Sequence, residues 1–215
     1  PTILLLILAF NTLWFVIYSF ELGWSGLRSS TPQFVSRVFA TDMPVANWAL
    51  AVHMIAGAAL ALGAPLQALP PLRRNWPHIH RKTGYVIFAL AVSTGCAGLV
   101  YILLHGTIGG WWMSLWFAIY GVATIWAAFY TVTHAIRSKV SAHFEWATRL
   151  VILAVGSWIY RMHYALWYAL TDGTATNAAF TGLFDQIQVV AFFVPYLLIA
   201  EAMLRYRRRR YPSRG

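Results

Sequence analysis

The sequence has little charge. Charged residues make up 10% of the 215-residue chain, whereas hydrophobic residues make up 60%. Because a soluble domain covers its surface with polar and charged groups, this balance excludes an ordinary soluble fold. Acidic residues are especially few, at 6 against 16 Lys and Arg, which gives a formal net charge of +10. Such a basic excess is typical either of nucleic-acid binding or of membrane orientation.

Several catalytic and cofactor motifs are missing as well. The single cysteine, Cys96, excludes an internal disulfide and a cysteine-based metal cluster. No glycine-rich phosphate loop, metalloprotease helix motif or Ser, His and Asp arrangement of a hydrolase occurs. No long apolar run carries a lysine at its centre, which excludes a Schiff-base retinal protein.

What the chain has instead is a series of long apolar runs. A membrane-crossing helix needs about 20 apolar residues. We predict one all-α domain, residues 1–215, built as a bundle of about six transmembrane helices at 3–20, 47–69, 84–105, 111–136, 143–168 and 186–204. Pro70 and Pro71 are expected to end the second span, and Pro195 to kink the sixth. The segment PQFVSRVF at 32–39 predicts a short surface helix.

The basic residues predict the orientation of these spans. Thirteen of the sixteen Lys and Arg lie on one side of the six-span arrangement. They are Arg73, Arg74, Arg81, Lys82, Arg137, Lys139, Arg149, Arg205, Arg207, Arg208, Arg209, Arg210 and Arg214. By the positive-inside rule, both termini and the basic loops are cytoplasmic. The lipid bilayer is the expected partner of the arginine-rich tail, and nucleic acid is not needed to explain it.

The fifth span carries charge where the bilayer disfavours it. Arg161 lies near the bilayer centre, where an arginine costs about 2.5–3.5 kcal/mol on insertion scales. His143 lies eighteen residues before Arg161, about five helical turns, so both share one face with Trp146 close by. We expect this face to look inward and Arg161 to meet an anion, a cofactor acid or a water-filled cavity. Arg149 is expected near the inner boundary, where an ion pair with Glu201 is the alternative.

Histidines near the span ends suggest a haem protein. Paired histidines from different helices at matching depth are how helical bundles hold b-type haem, and arginines can neutralise its propionates. The outer pair is His53 with His163, and the inner pair is His80 or His134 with His143. His163, however, lies about 160° from Arg161 around the helix, so one pocket cannot hold both.

An ordered set of residues extends across spans two to six: His53, Gly57, Gln67, Pro70, Arg73, His80, Arg81, Gly84, His143, Trp146, Arg149, Arg161 and Glu201. Over about residues 50–205, this set resembles a bacterial family of predicted membrane proteins catalogued as domain of unknown function 2306. The resemblance implies an integral multi-helix membrane protein and carries no biochemical activity with it. His105, His134 and His163 lie outside the pattern.

We therefore expect a membrane protein that binds haem b for electron transfer, with quinone as a partner. Since the resemblance favours them, His53, His80 and His143 are the expected iron ligands, and Arg149 and Arg161 the anion partners of the cofactor. The pattern does not decide whether the protein is an enzyme.

Two other functions stay open. The chain could be a non-catalytic accessory or structural subunit of a larger membrane complex. It could also be a proton-coupled transporter whose path uses Arg161, Arg149 and Glu201.

Overall fold

A computed structural model describes residues 2–29 and 36–210, and every regular element in these ranges is a helix. The helices are α1 Thr2–Asn11, α2 Leu13–Arg28, α3 Pro44–Gln67, α4 Pro70–Asn75, α5 Pro77–His105, α6 Gly110–Ile136, α7 Val140–Thr171, α8 Leu183–Ala191 and α9 Val194–Arg210. The predicted all-α class is confirmed. Residues 36–39 of the predicted surface helix at 32–39 form a turn and no helix, while its other residues and Arg214 of the tail lie outside the described part of the chain.

Five helical stretches are long and apolar enough to cross a membrane: Thr2–Arg28, Pro44–Gln67, Pro77–His105, Gly110–Ile136 and Leu183–Arg210. Length and composition are thus those of a multi-pass membrane protein. The predicted span at 143–168 lies within α7, which has 32 residues but is not one of the five. Arg161 and His163 interrupt its apolar run and lower its mean hydropathy.

Proline and basic residues shape the helix ends differently from the prediction. The second span ends at Gln67, before Pro70, as predicted, but Pro70 then begins the short helix α4. Helix α5 begins at Pro77, about two turns before the predicted span, because proline suits the first helical position and the basic residues after it tolerate a helix. The predicted kink in the sixth span is confirmed by the break between α8 and α9, just before Pro195.

Helix α3 lies in the middle of the bundle and packs against α1, α2, α5 and α7. Helix α6 lies between α5 and α7. The main core cluster joins α3, α5, α6 and α7 to the α8–α9 junction. Its members are Leu60, Ala64, Ile87, Ala91, Ala127, Ala128, Leu150, Leu153, Ala154, Phe192 and Phe193. Many large apolar side chains instead point outward, for example Leu103, which is 84% exposed. Such an outward apolar surface is what a lipid environment requires.

Contacts between distant residues show which helix ends lie together. Arg208, near the end of α9, forms a bidentate ion pair with Glu145, in the first turns of α7. At the opposite end, Trp112 of α6 donates its indole N–H to the carbonyl oxygen of Gln186 in α8, at 3.1 Å. The last turns of α7 also lie at that opposite end, where Trp167 stacks on Phe184 of α8 at 4.4 Å, so α7 extends from one end of the bundle to the other. We call the end with α4, the beginnings of α5 and α7, and the end of α9 the basic end.

Candidate functional site

The structure separates the predicted site residues into two groups. His80 and His143 face each other near the basic end. His53 and Arg161 line one internal cavity. His53 contacts Thr94, which follows His80 on α5 by about four helical turns, roughly 20 Å. The three histidines that we expected as iron ligands therefore do not share one site.

The His80–His143 pair is an edge-to-face contact between α5 and α7. The ring centroids lie 6.5 Å apart, and the ring planes are nearly perpendicular at 87°. His143 donates its Nδ1–H to the carbonyl oxygen of Thr131 at 2.9 Å, since a carbonyl can only accept. This bond leaves the Nε2 lone pair of a neutral His143 ring available. The Nδ1 atom of His80 is buried and has no hydrogen-bond partner in the described part of the chain.

Gln67 fixes the turn of α5 that carries His80. Its side-chain amide donates to the carbonyl oxygen of His80 at 2.5 Å, and its side-chain oxygen accepts a hydrogen bond from Thr83 at 2.7 Å. Gln67 thus links the end of α3 to the beginning of α5. A rigid backbone under His80 restricts the orientations of its ring.

Two alternative histidines have other partners. His134 stacks on Tyr130 at 5.7 Å and bonds to the Tyr130 carbonyl oxygen at 2.6 Å. His163 uses both ring nitrogens, Nδ1 with the Gln188 side chain at 3.1 Å and Nε2 with the Tyr196 hydroxyl at 2.8 Å. Helix α7 is therefore buried on two sides, and His163 belongs to its contact with α8 and α9.

Arg149 has a carboxylate partner within the chain. Its Nη2 atom lies 2.5 Å from Oε2 of Glu201, as the ion-pair alternative predicts. Its guanidinium carbon also lies 4.7 Å above the ring of Trp146, which stacks on Tyr130. Arg149 joins α7 to α9, and its charge is already neutralised there.

This ion pair is expected to stabilise the fold. In a double-mutant cycle of Arg149→Gln and Glu201→Gln, we expect a coupling free energy of about 1–3 kcal/mol, because the arginine side chain is only 17% exposed. Denaturant unfolding in mixed micelles measures it. The matched control is the cycle of Glu201→Gln with Arg205→Gln, since Arg205 also pairs with Glu201 but is 69% exposed. There the coupling should be about 0.5 kcal/mol or less. Equal couplings in the two cycles would contradict the expectation.

The second group lies around a cavity of about 590 Å³ between α2, α3, α5, α6 and α7. We call it the His53–Arg161 cavity. Its walls are mainly apolar and aromatic, with Phe15, Tyr18, Phe117, Tyr120 and Tyr160 among the lining residues. This volume lies within the range of about 300–1,000 Å³ found for sites that bind small molecules and cofactors.

The imidazole of His53 is held on one wall of this cavity. Its Nδ1 donates to the Thr94 carbonyl oxygen at 2.8 Å, and the Thr94 hydroxyl donates to the His53 carbonyl oxygen at 2.8 Å. Gly98 makes room for the ring, because a Cβ atom there would lie 2.8 Å from His53 Nδ1. Only a glycine at this position leaves the ring where it is.

Arg161 enters the cavity from α7. Its guanidinium carbon lies 4.9 Å from the ring centre of Phe15 and 5.8 Å from that of Tyr18. Its Nη1 donates to the carbonyl oxygen of Ser157 in its own helix at 3.1 Å. The sequence identified Arg161 but not Phe15 and Tyr18. The first span is apolar on every side, so no helical periodicity distinguishes these two residues from their neighbours.

No group of three or more His, Cys, Asp or Glu side chains that could hold a metal ion lies within residues 2–29 and 36–210. No family model, curated protein or solved structure matches the chain. The resemblance to domain of unknown function 2306 therefore stays a prediction. Any function for this protein has to be argued from the two groups of residues themselves.

Proposed function

We propose that the chain crosses the inner membrane of a bacterium six times, with both termini and the basic end in the cytoplasm. The five apolar stretches supply five crossings, and α7 is the sixth. Two observations support α7. Its 32 residues correspond to about 48 Å of helix, more than the bilayer core of about 30 Å, and its ends lie at opposite ends of the bundle. The positive-inside rule then orients the protein.

We further propose that this protein binds haem b between α5 and α7, where His80 and His143 would hold it. The observation that carries this proposal is the edge-to-face pair of the two rings, whose centroids lie 6.5 Å apart. Histidines from different helices are the residues that commonly hold b-type haem in helical bundles.

The surroundings of the two rings fit such a cofactor. The bond from His143 to the Thr131 carbonyl fixes the ring and its tautomer, as second-shell partners of metal-bound histidines do. The buried, unpaired Nδ1 of His80 is costly unless something satisfies it. The basic end supplies guanidinium groups, including those of Arg73 and Arg81, of the kind that neutralise propionates.

His53 is not part of this proposal, because the described lining of its cavity contains no second histidine. When bound between His80 and His143, haem b supplies one-electron transfer. A quinone is the proposed redox partner, since it is dissolved in the same bilayer. The residues of the chain would hold the group at the basic end.

A visible absorption spectrum of the purified protein tests this function. Protein expressed with ample haem and purified in detergent should show a strong Soret band, and dithionite should produce a sharp α-band. Haem extraction should give about one haem per chain, as one ligand pair implies. A featureless spectrum from folded protein would overturn the proposal.

A further inference from the structure

The His53–Arg161 cavity contains positive charge and no carboxylate. Its described lining includes Arg161 and Arg37 but no Asp or Glu. Arg37 donates from Nη1 to the carbonyl oxygen of Ala178 at 2.7 Å and lies over the ring of Phe180, so it is engaged with the α7–α8 connection. Arg161 is therefore the charged group that a molecule inside the cavity would meet.

The hydrogen-bonding capacity of Arg161 is largely unused. A guanidinium has five N–H donors, and the described residues give this one a single hydrogen bond, to Ser157 in its own helix. All six acidic residues of the chain lie in its described part, and none comes within 4 Å of Arg161 in an ion pair. The rings of Phe15 and Tyr18 offer only cation–π contact.

Arg149 is the natural comparison, because it lies on the same helix. It has Glu201 as a carboxylate partner in addition to the ring of Trp146. The deeper arginine, Arg161, has the aromatic rings without the carboxylate. A charge within a membrane bundle is normally paired with another charge or with a ligand. Arg161 therefore has no anionic partner among the described residues, and an anion from outside the chain would have to pair with it.

We propose that the His53–Arg161 cavity binds a single-chain amphiphile with one acidic head, a carboxylate or a phosphate, which pairs with Arg161. The apolar walls receive the hydrocarbon body, and the cavity of about 590 Å³ is in the range that drug-sized ligands fill. His53 uses its Nδ1–H for the Thr94 carbonyl oxygen, so the Nε2 of its neutral ring can only accept a hydrogen bond, and the donors to the anionic oxygens of the head come from Arg161. The site is independent of the haem proposal, since the two lie roughly 20 Å apart along α5.

Isothermal titration in a neutral maltoside detergent tests this proposal, with three probes of equal chain length. They are dodecanoate, dodecyl phosphate and the uncharged dodecanol. We expect the wild-type protein to bind at least one of the two acids about tenfold or more tightly than the alcohol. Binding of dodecanoate alone identifies a carboxylate ligand, binding of dodecyl phosphate alone a phosphate ligand, and binding of both a site that recognises charge. Equal affinities for the acids and the alcohol would overturn the proposal.

Substitutions locate the site. Arg161→Gln should weaken acid binding about tenfold or more and leave alcohol binding unchanged, whereas Arg161→Lys should fall between the two, because it keeps the charge but loses the planar fork of donors. The matched control is Arg28→Gln, because Arg28 also lies over an aromatic ring, that of Trp24, but outside the cavity lining. Acid affinities of Arg161→Gln equal to those of Arg28→Gln would overturn the assignment. If Arg161→Gln does not fold, the wild-type comparison of acid with alcohol decides alone.

Discussion

Replacing His143 with alanine is expected to lower the haem content of the purified protein about tenfold or more and to shift or remove the reduced α-band. His143 is one of the two residues that would hold the haem, and loss even of a group that only orients a metal ligand typically costs 10–100-fold in affinity. Haem extraction and reduced-minus-oxidised spectra measure the effect. His80→Ala should behave in the same way, since the two rings face each other at 6.5 Å.

His134→Ala is the control for this experiment. His134 also lies near the basic end, but its ring stacks on Tyr130 and it is half-buried there. Its replacement should leave the haem content and the band positions unchanged. Full haem content with unshifted bands in the folded His143→Ala variant would exclude His143 as a ligand. A loss in all three variants would point to damage of the whole basic end rather than to ligation.

Replacing Asp185 with asparagine is expected to lower the free energy of unfolding by about 2–4 kcal/mol. Asp185 is fully buried; one carboxylate oxygen accepts from the Tyr164 hydroxyl at 2.6 Å. The other accepts from the backbone N–H groups of Asn177 and Gly182, at 3.1 and 3.0 Å. An amide of the same shape can accept at only one of its two ends. If the amide oxygen faces the two backbone N–H groups, the NH₂ group faces the Tyr164 hydroxyl, which can accept from it but loses the acceptor for its own proton.

Asp172→Asn provides the isosteric control. Asp172 is exposed at the end of α7 in the left-handed conformation, with φ of 54°, which asparagine adopts as readily as aspartate. Denaturant unfolding of both variants in the same micelles compares them. The control should stay within about 0.5 kcal/mol of the wild type. A comparably small change for Asp185→Asn would show that the buried network contributes little to stability.

Much of the fold follows from local features of the sequence. Long apolar runs place the helices, and Pro70 and Pro195 mark an end and a break at the predicted positions. The predicted boundaries fail where polar residues continue a helix. Helix α2 ends at Arg28 and α9 at Arg210, well beyond the apolar runs. Arginine is a good helix former, and an apolar run indicates which residues lie in the bilayer rather than where the helix ends.

The candidate sites were only partly predictable. Helical spacing placed His143 and Arg161 on one face of the fifth span, and the structure turns both toward the interior. The same spacing indicated that His163 is apart from them. Which histidine lies beside His143 depends on how separate helices pack. The spacing of residues along one helix does not determine that packing. Position along the spans did not separate His80 from His134, and only the resemblance favoured His80; the structure places His80 beside His143 and stacks His134 on Tyr130.

The arginines of α9 show the same limit more sharply. Their number predicts orientation, and any of them would serve that purpose equally well. The structure distinguishes them, because Arg208 pairs with Glu145 and Arg205 with Glu201. No feature of the sequence separates Arg208 from Arg209. An ion pair between residues 63 positions apart is visible only once the helices are packed.

The ion pairs between α7 and α9 have a consequence for biosynthesis. Glu145 and Arg149 leave the ribosome well before Glu201 and Arg208, which are 52 and 63 residues away from their partners. During that interval the first half of α7 carries charges that have not yet found their counterions. Translocation machinery or lipid headgroups have to accommodate α7 until α9 arrives. Helix α7, which carries His143 and Arg161, thus gains its ion-pair partners late. They come from α9, which contributes to neither site.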